Sequence, residues 1–245
     1  LLVAAHWLEG GLPRLTRRQV IGTLLLGATG IFAYNLFFLG ALARLPASRT
    51  SLIIALNPVV TIAAASLLLG ERMSLRRWIG VTVALLGVWI VVSRGDVLGS
   101  VTGAVGTGEL LMFGGVCSWA AYTLIGRRVL EGLTPLAATT YASLWGTAML
   151  AAAAAPGLRQ LQTADLTLPV LASVLYLGVL GTSVAFVWYY QAVQRLGAAR
   201  TVIFNNLVPV FGASFGVLLL GEPLLPSMLL GGAIAVAGVM LVTKA

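Results

Sequence analysis

Charge is scarce in this sequence: only 9% of its 245 residues are Asp, Glu, Lys or Arg, against about 25% in an ordinary soluble domain. With 59% apolar residues and a mean hydropathy of +1.01, polar groups are too few to cover a water-soluble core. That excludes a soluble enzyme. The single cysteine, Cys117, rules out an internal disulfide or a cysteine metal cluster, and the single histidine, His6, rules out a histidine-rich site, so neither a metal nor a cofactor is expected. Seven acidic residues stand against fifteen basic ones. In a soluble chain that balance would point to nucleic acid, but here the basic residues sit in small groups between apolar runs and read as topology signals.

Those apolar runs are what the chain has in abundance. Bounded by charge, Gly and Pro, they fall at roughly 19–43, 47–69, 74–93, 108–129, 134–155, 168–193, 198–220 and 225–243. Each is long enough to cross about 30 Å of hydrocarbon at 1.5 Å per residue. Lipid offers no partner for backbone N–H and C=O groups, and the alternation of a barrel strand is absent, so the spans are expected to be helices. The predicted fold is an all-α membrane bundle of eight full transmembrane helices plus a helix fragment. That fragment is the short run Leu1 to Trp7, which opens without Met and stops at Glu9-Gly10-Gly11. It lacks the basic leader and cleavage site of a secretory signal and reads as the end of a helix that starts before residue 1.

Lys and Arg partition between alternate loops. Eleven of the fifteen fall on one side, from Arg14, Arg17 and Arg18 through Arg127 and Arg128 to Lys244; Arg44, Arg49, Arg94 and Arg159 fall on the other. The richer side is expected to be cytoplasmic, with the C-terminus inside.

The chain also resembles itself at an offset of 151 residues. Arg44-Leu45-Pro46-Ala47-Ser48-Arg49-Thr50 falls on Arg195-Leu196-Gly197-Ala198-Ala199-Arg200-Thr201, Pro58 on Pro209, and Leu67-Leu68-Leu69-Gly70-Glu71 on Leu218-Leu219-Leu220-Gly221-Glu222. Gly27, Gly80, Ala84 and Gly87 meet Gly178, Gly231, Ala235 and Gly238. By the charge count the copies lie in opposite orientations, the inverted repeat of a transporter whose halves alternate around a central site. The halves are read as 1–98 and 104–245.

Asn57-Pro58, Leu68-Leu69-Gly70-Glu71-Arg72 and Trp78-Ile79-Gly80, followed by Leu86-Gly87-Val88, closely resemble the EamA-type drug/metabolite transporters, and Leu220-Gly221-Glu222-Pro223 resembles the same motif again. The resemblance implies ten helices in the intact protein. It implies a bacterial inner-membrane carrier, commonly an exporter of amino acids, other metabolites or drugs.

Candidate site residues are the few polar and aromatic side chains inside the spans. Pro58 and Pro209 each lack an N–H and would free the carbonyls of Ile54 and Asn205, marking kinks or gates. Asn57 beside Pro58, and Asn205-Asn206 ahead of Pro209, put amides next to that backbone in both halves; Asn35 is a further amide. Each amide alone is more readily explained by helix cross-linking. Tyr34, Trp119 and Tyr122 form a deeper aromatic group suited to a planar or cationic solute, whereas Trp188, Tyr189 and Tyr190 read as an interfacial belt. No ionisable residue is expected mid-span, which argues against a midplane proton relay. Cys117 reads as a small buried residue, and the Gly-rich stretch 95–108 has no strand before it to make a phosphate loop.

The function reading is a secondary carrier exporting small metabolites or drugs by alternating access. Its partners are a small-molecule substrate and the bilayer, without nucleic acid, and with a homo-oligomer left open. Uptake, or a lipid translocator or scaffold, is the alternative. An intramembrane enzyme would need a nucleophile with a basic or acidic partner, and none is visible.

Overall fold

The computed structural model describes residues 1–69, 74–93, 105–158 and 167–243, with backbone alone at Leu69, Leu158, Ala199, Arg200, Ile203, Asn206 and Thr243. Glu71, Arg72, Arg94, Asp96, Arg159, Asp165 and Lys244, and most of the Gly-rich stretch 95–108, therefore lie outside the described residues.

Among the described residues the chain is helical throughout and has no strand. After α1 (Leu2–Glu9), α2 (Arg17–Leu26) runs through a π-helical stretch, Gly27–Ala33, into α3 (Tyr34–Leu42). Then come α4 (Ala47–Ile54), α5 (Asn57–Leu69), α6 (Leu75–Val92), α7 (Thr107–Val129) and α8 (Pro135–Leu158). A second π-helical stretch, Tyr176–Val184, joins α9 (Leu168–Leu175) to α10 (Ala185–Leu196). The chain ends with α11 (Ala198–Thr201), a 3₁₀ segment Val202–Asn206, α12 (Leu207–Leu220) and α13 (Pro226–Thr243). Five stretches are long and apolar enough to cross a membrane: Arg17–Leu42, Ala47–Leu68, Leu75–Val92, Thr107–Val129 and Leu168–Leu196. The other runs are also helical, but α8 is diluted by Ala and Thr, while α12 and α13 are shorter apolar helices.

Element boundaries recur at the offset seen in the sequence. Arg17 and Leu168 start α2 and α9, Tyr34 and Ala185 start α3 and α10, and Leu75 and Pro226 start α6 and α13, each pair 151 residues apart. The first π-helical stretch likewise falls on the second.

The chain divides into two compact units, Leu1–Phe32 with Ile125–Gly197, and Ala33–Leu124 with Ala198–Ala245. In the first, glycines let helices approach closely, as small residues do in membranes. A Cβ on Gly27 would lie 2.7 Å from the Ala142 carbonyl, and one on Gly146 would lie 2.3 Å from Ile31 Cβ. Tyr190 is fully buried, its ring over Gly126. It is a core residue, not part of an interfacial belt, whereas Trp188 is exposed as a belt residue would be.

The second unit has one continuous apolar core from α3 to α7 and α13, including Ala41, Ile53, Leu56, Val59, Val88, Met112, Val116 and Val239. Its centre is the antiparallel pair α6 and α13. Gly80 faces Gly238, and Gly87 faces Gly231 and Ala235. Cys117 is exposed rather than buried, because the opposite side of α7, carrying Met112 and Trp119, takes the core position.

Candidate functional site

Glycines decide where the aromatic group forms. On α7, Gly108, Gly114 and Gly115 present bare backbone to Leu45, Phe37 and Tyr34 in turn, so α3 lies close along α7. That approach flanks a stack within α3 itself, Tyr34 on Phe38 one turn later, at 5.6 Å between ring centres and 7° between planes. It also sets Tyr34 5.2 Å from Trp119, itself 5.4 Å from Tyr122. Tilted rings at these separations are an attractive geometry. Tyr34, Trp119 and Tyr122 are thus brought together, and Phe38 joins the row. Phe38 also packs on the core cluster that holds Leu56 and Val59, the neighbours of Asn57.

Asn57 sits where one helix ends and the next begins. The last turn of α4 tightens through Ala55 N–H to the Leu52 carbonyl (3.2 Å) and Leu56 N–H to the Ile53 carbonyl (3.0 Å). The span therefore breaks at Ala55-Leu56. Pro58 occupies the first turn of α5, where a missing N–H costs little, instead of interrupting a continuous helix. Asn57 is 3% exposed, yet its Oδ1 has no hydrogen-bond partner among the described residues, and neither has the Thr61 hydroxyl one turn later. Buried polar atoms are nearly always satisfied. Two orphans four residues apart on one helix face thus offer an amide oxygen that accepts and a hydroxyl that can accept or donate.

The other amides are not gathered so clearly. Asn35 is half-buried on α3 beside Tyr34. Asn205 is half-buried in the 3₁₀ segment, and the side chain of Asn206 is outside the described residues. Pro209 is buried in the first turn of α12, immediately after that segment.

Two charged features were not legible in the sequence. Arg49, assigned there to an external loop, lies within α4 and is buried; it pairs with Glu109 at 2.8 Å and donates to the Val92 carbonyl. Glu109 also accepts the Gly106 N–H at 2.9 Å. Glu222 follows Gly221, whose left-handed φ of 64° turns the chain out of α12. Its carboxylate caps α4, accepting the Ala47 N–H at 2.7 Å and the Ser48 N–H at 2.9 Å. Burial alone would push this carboxyl up, but hydrogen bonds from Ser48 and Ala47 outweigh it and hold the group below its ordinary value of 4.5. The repeat marked Gly221-Glu222 as a motif, but only the fold shows which helix it caps. Among the described residues, no three of His, Cys, Asp and Glu gather closely enough to hold a metal ion.

A helical chain with five membrane-length apolar spans, helices joined through glycine, and an aromatic row beside broken helix ends is a polytopic membrane protein of the transporter class. Residues 1–93 and 106–244 match the EamA-like transporter family, and the chain belongs to it. It is 28% identical over 243 residues to the "Uncharacterized transporter YyaM" of Bacillus subtilis, covering 98% of this chain and 78% of the relative. It is 33% identical over 236 residues to the "Probable terminal-alkyne amino-acid exporter" of Streptantibioticus cattleyicolor, covering 96% and 76%. A crystal structure at 20% identity shares the fold, with a TM-score of 0.63 over 99% of this chain and 82% of that one.

Proposed function

We propose that this protein is an inner-membrane secondary transporter that exports small amino-acid-like metabolites by alternating access. In this reading eight membrane passages are visible, the C-terminus is cytoplasmic, and the two halves are inverted copies. The antiparallel, reciprocal glycine contacts of α6 and α13 and the boundaries recurring 151 residues apart support the inverted arrangement.

The observation that carries the substrate class is the buried, unsatisfied Asn57 Oδ1 with the Thr61 hydroxyl beside it. An α-ammonium group is a strong donor that would satisfy both. The Tyr34, Trp119 and Tyr122 rings supply an apolar wall and a π-face for the same cation. Asn35 and Asn205 are the further amides of this reading, and the helix breaks ahead of Pro58 and Pro209 are the points where the spans bend during exchange. The amino-acid exporter relative supports the same class.

Counterflow in liposomes, with labelled neutral and aromatic amino acids beside a lipophilic cation, tests the proposal. Amino-acid exchange that is lost on Asn57→Ala supports it. Cation flux alone, or lipid scrambling without solute flux, replaces it with a drug carrier or a lipid translocator.

A further inference from the structure

The first compact unit holds a cavity of about 480 Å³ at the start of α2 and the end of α7. Its size lies within the range of about 300–1,000 Å³ usual for small-molecule pockets. Its rim carries Arg18, Arg128 and Glu131, and its wall is formed by Ile21, Leu25 and Ile125. The rim is built, not incidental. Thr16 and Gln19 form a reciprocal capping box at the α2 N-terminus, and the same Gln19 donates through Nε2 to the Gly132 carbonyl at 3.0 Å. The turn bearing Glu131 and Gly132 is thereby pinned to the first turn of α2.

Depth in the bilayer follows from helix length. The span Arg17–Leu42 has 26 residues, about 39 Å at 1.5 Å per residue, against about 30 Å of hydrocarbon. Its first turn therefore stands at headgroup level. Below the arginines the wall turns outward: Ile21 is 59% and Leu25 43% exposed, an apolar track running from the rim toward the acyl region. Neither Arg18 nor Arg128 makes an ion pair among the described residues. Two guanidinium groups against one carboxylate leave the rim with a net positive charge. Arginine forks match phosphate oxygens, and basic pockets at helix ends attract anionic headgroups.

We propose that this cavity is a binding site for an anionic phospholipid, with the phosphodiester held between Arg18 and Arg128 and an acyl chain lying along Ile21 and Leu25. A lipid with one net negative charge neutralises the rim. Phosphatidylethanolamine leaves it charged, despite offering an ammonium to Glu131.

The test is native mass spectrometry of the full chain released from detergent with phosphatidylglycerol, phosphatidylethanolamine or inorganic phosphate. Phosphatidylglycerol adducts should dominate and should persist in excess inorganic phosphate. Arg18→Gln and Arg128→Gln should each weaken them about fivefold, the paired Lys replacements should retain most of the binding, and Glu131→Gln should strengthen it. Both arginine side chains are exposed, so the Gln variants should keep wild-type helicity and melting, which circular dichroism checks. Ile21→Gln should weaken lipid retention without changing the rim charge. Equal retention of the two lipids, adducts that survive the double Gln variant, or displacement by inorganic phosphate alone would overturn the proposal; the last would assign a free-phosphate site.

Discussion

Gly87 and Gly231 meet backbone to backbone: a Cβ added to either would lie 2.6 Å from the carbonyl oxygen of the other. Gly80 and Gly238 repeat the relationship further along the same helices, at 2.8 and 2.7 Å. At the offset of 151 residues Gly80 corresponds to Gly231 and Gly87 to Gly238, so each of Gly80 and Gly87 meets the residue that corresponds to the other. The two helices can approach this closely only because no side chain stands between them.

Gly87→Val should therefore force α6 and α13 apart, with an overpacking cost of about 1–3 kcal/mol or more. A drop in melting temperature and in membrane abundance is expected. Gly157→Ala, where an added Cβ meets nothing within 4 Å, should leave both unchanged, and fluorescence-detected size-exclusion chromatography measures the difference.

Breaking the Arg49–Glu109 pair should be costly, because either partner alone becomes an uncompensated buried charge. Arg49→Met and Glu109→Leu should each destabilise by about 3–5 kcal/mol, and the double variant should recover much of that loss. Equal and additive losses in thermal melts would contradict the pairing.

Glu222 should tie stability to pH. Its carboxyl is held below the ordinary value, so its stabilising contribution is complete above that value and is lost as pH falls through the depressed one. Glu222→Gln should cost about 1 kcal/mol near neutrality through the weakened cap, and its melting temperature should fall less than that of the wild type below pH about 4. Melting curves from pH 7 down to pH 3 decide the matter; parallel curves would refute the assignment.

Asn57→Ala should reduce transport at normal abundance and melting temperature, since the amide oxygen it removes has no partner to lose among the described residues. Thr61→Val should act in the same direction. Transport loss that only follows loss of folded protein would return both residues to a packing role.

Orientation can be read with single cysteines in a Cys117→Ala background. A cysteine at Leu224, in the exposed turn before α13, should react with an impermeant thiol reagent applied from outside, and one at Ser74 should not. The opposite pattern would invert the topology.

Hydropathy alone determined that the chain is a helical membrane protein, because runs of this length and apolarity have no other stable arrangement in lipid. The offset of 151 residues, together with Gly, Arg and Pro landing on their own kind, was equally a property of the sequence, and the helix starts at Arg17 and Leu168 fall on it. What tertiary structure decided was which residues meet. Sequence placed Arg49 in an outer loop, since a lone basic residue near a span end is usually solvated; burial followed only once α4 brought it to Glu109. Cys117 and Tyr190 went the opposite way to expectation because a helix has two sides, and composition does not say which one a neighbouring helix will cover. The row of Tyr34, Trp119 and Tyr122 was foreseen as types of residue at suitable depth, but its geometry depends on Gly114 and Gly115 letting α3 approach α7. Periodicity and apolar length are local quantities and can be read along the chain. Pairing depends on long-range packing, which only the folded molecule specifies.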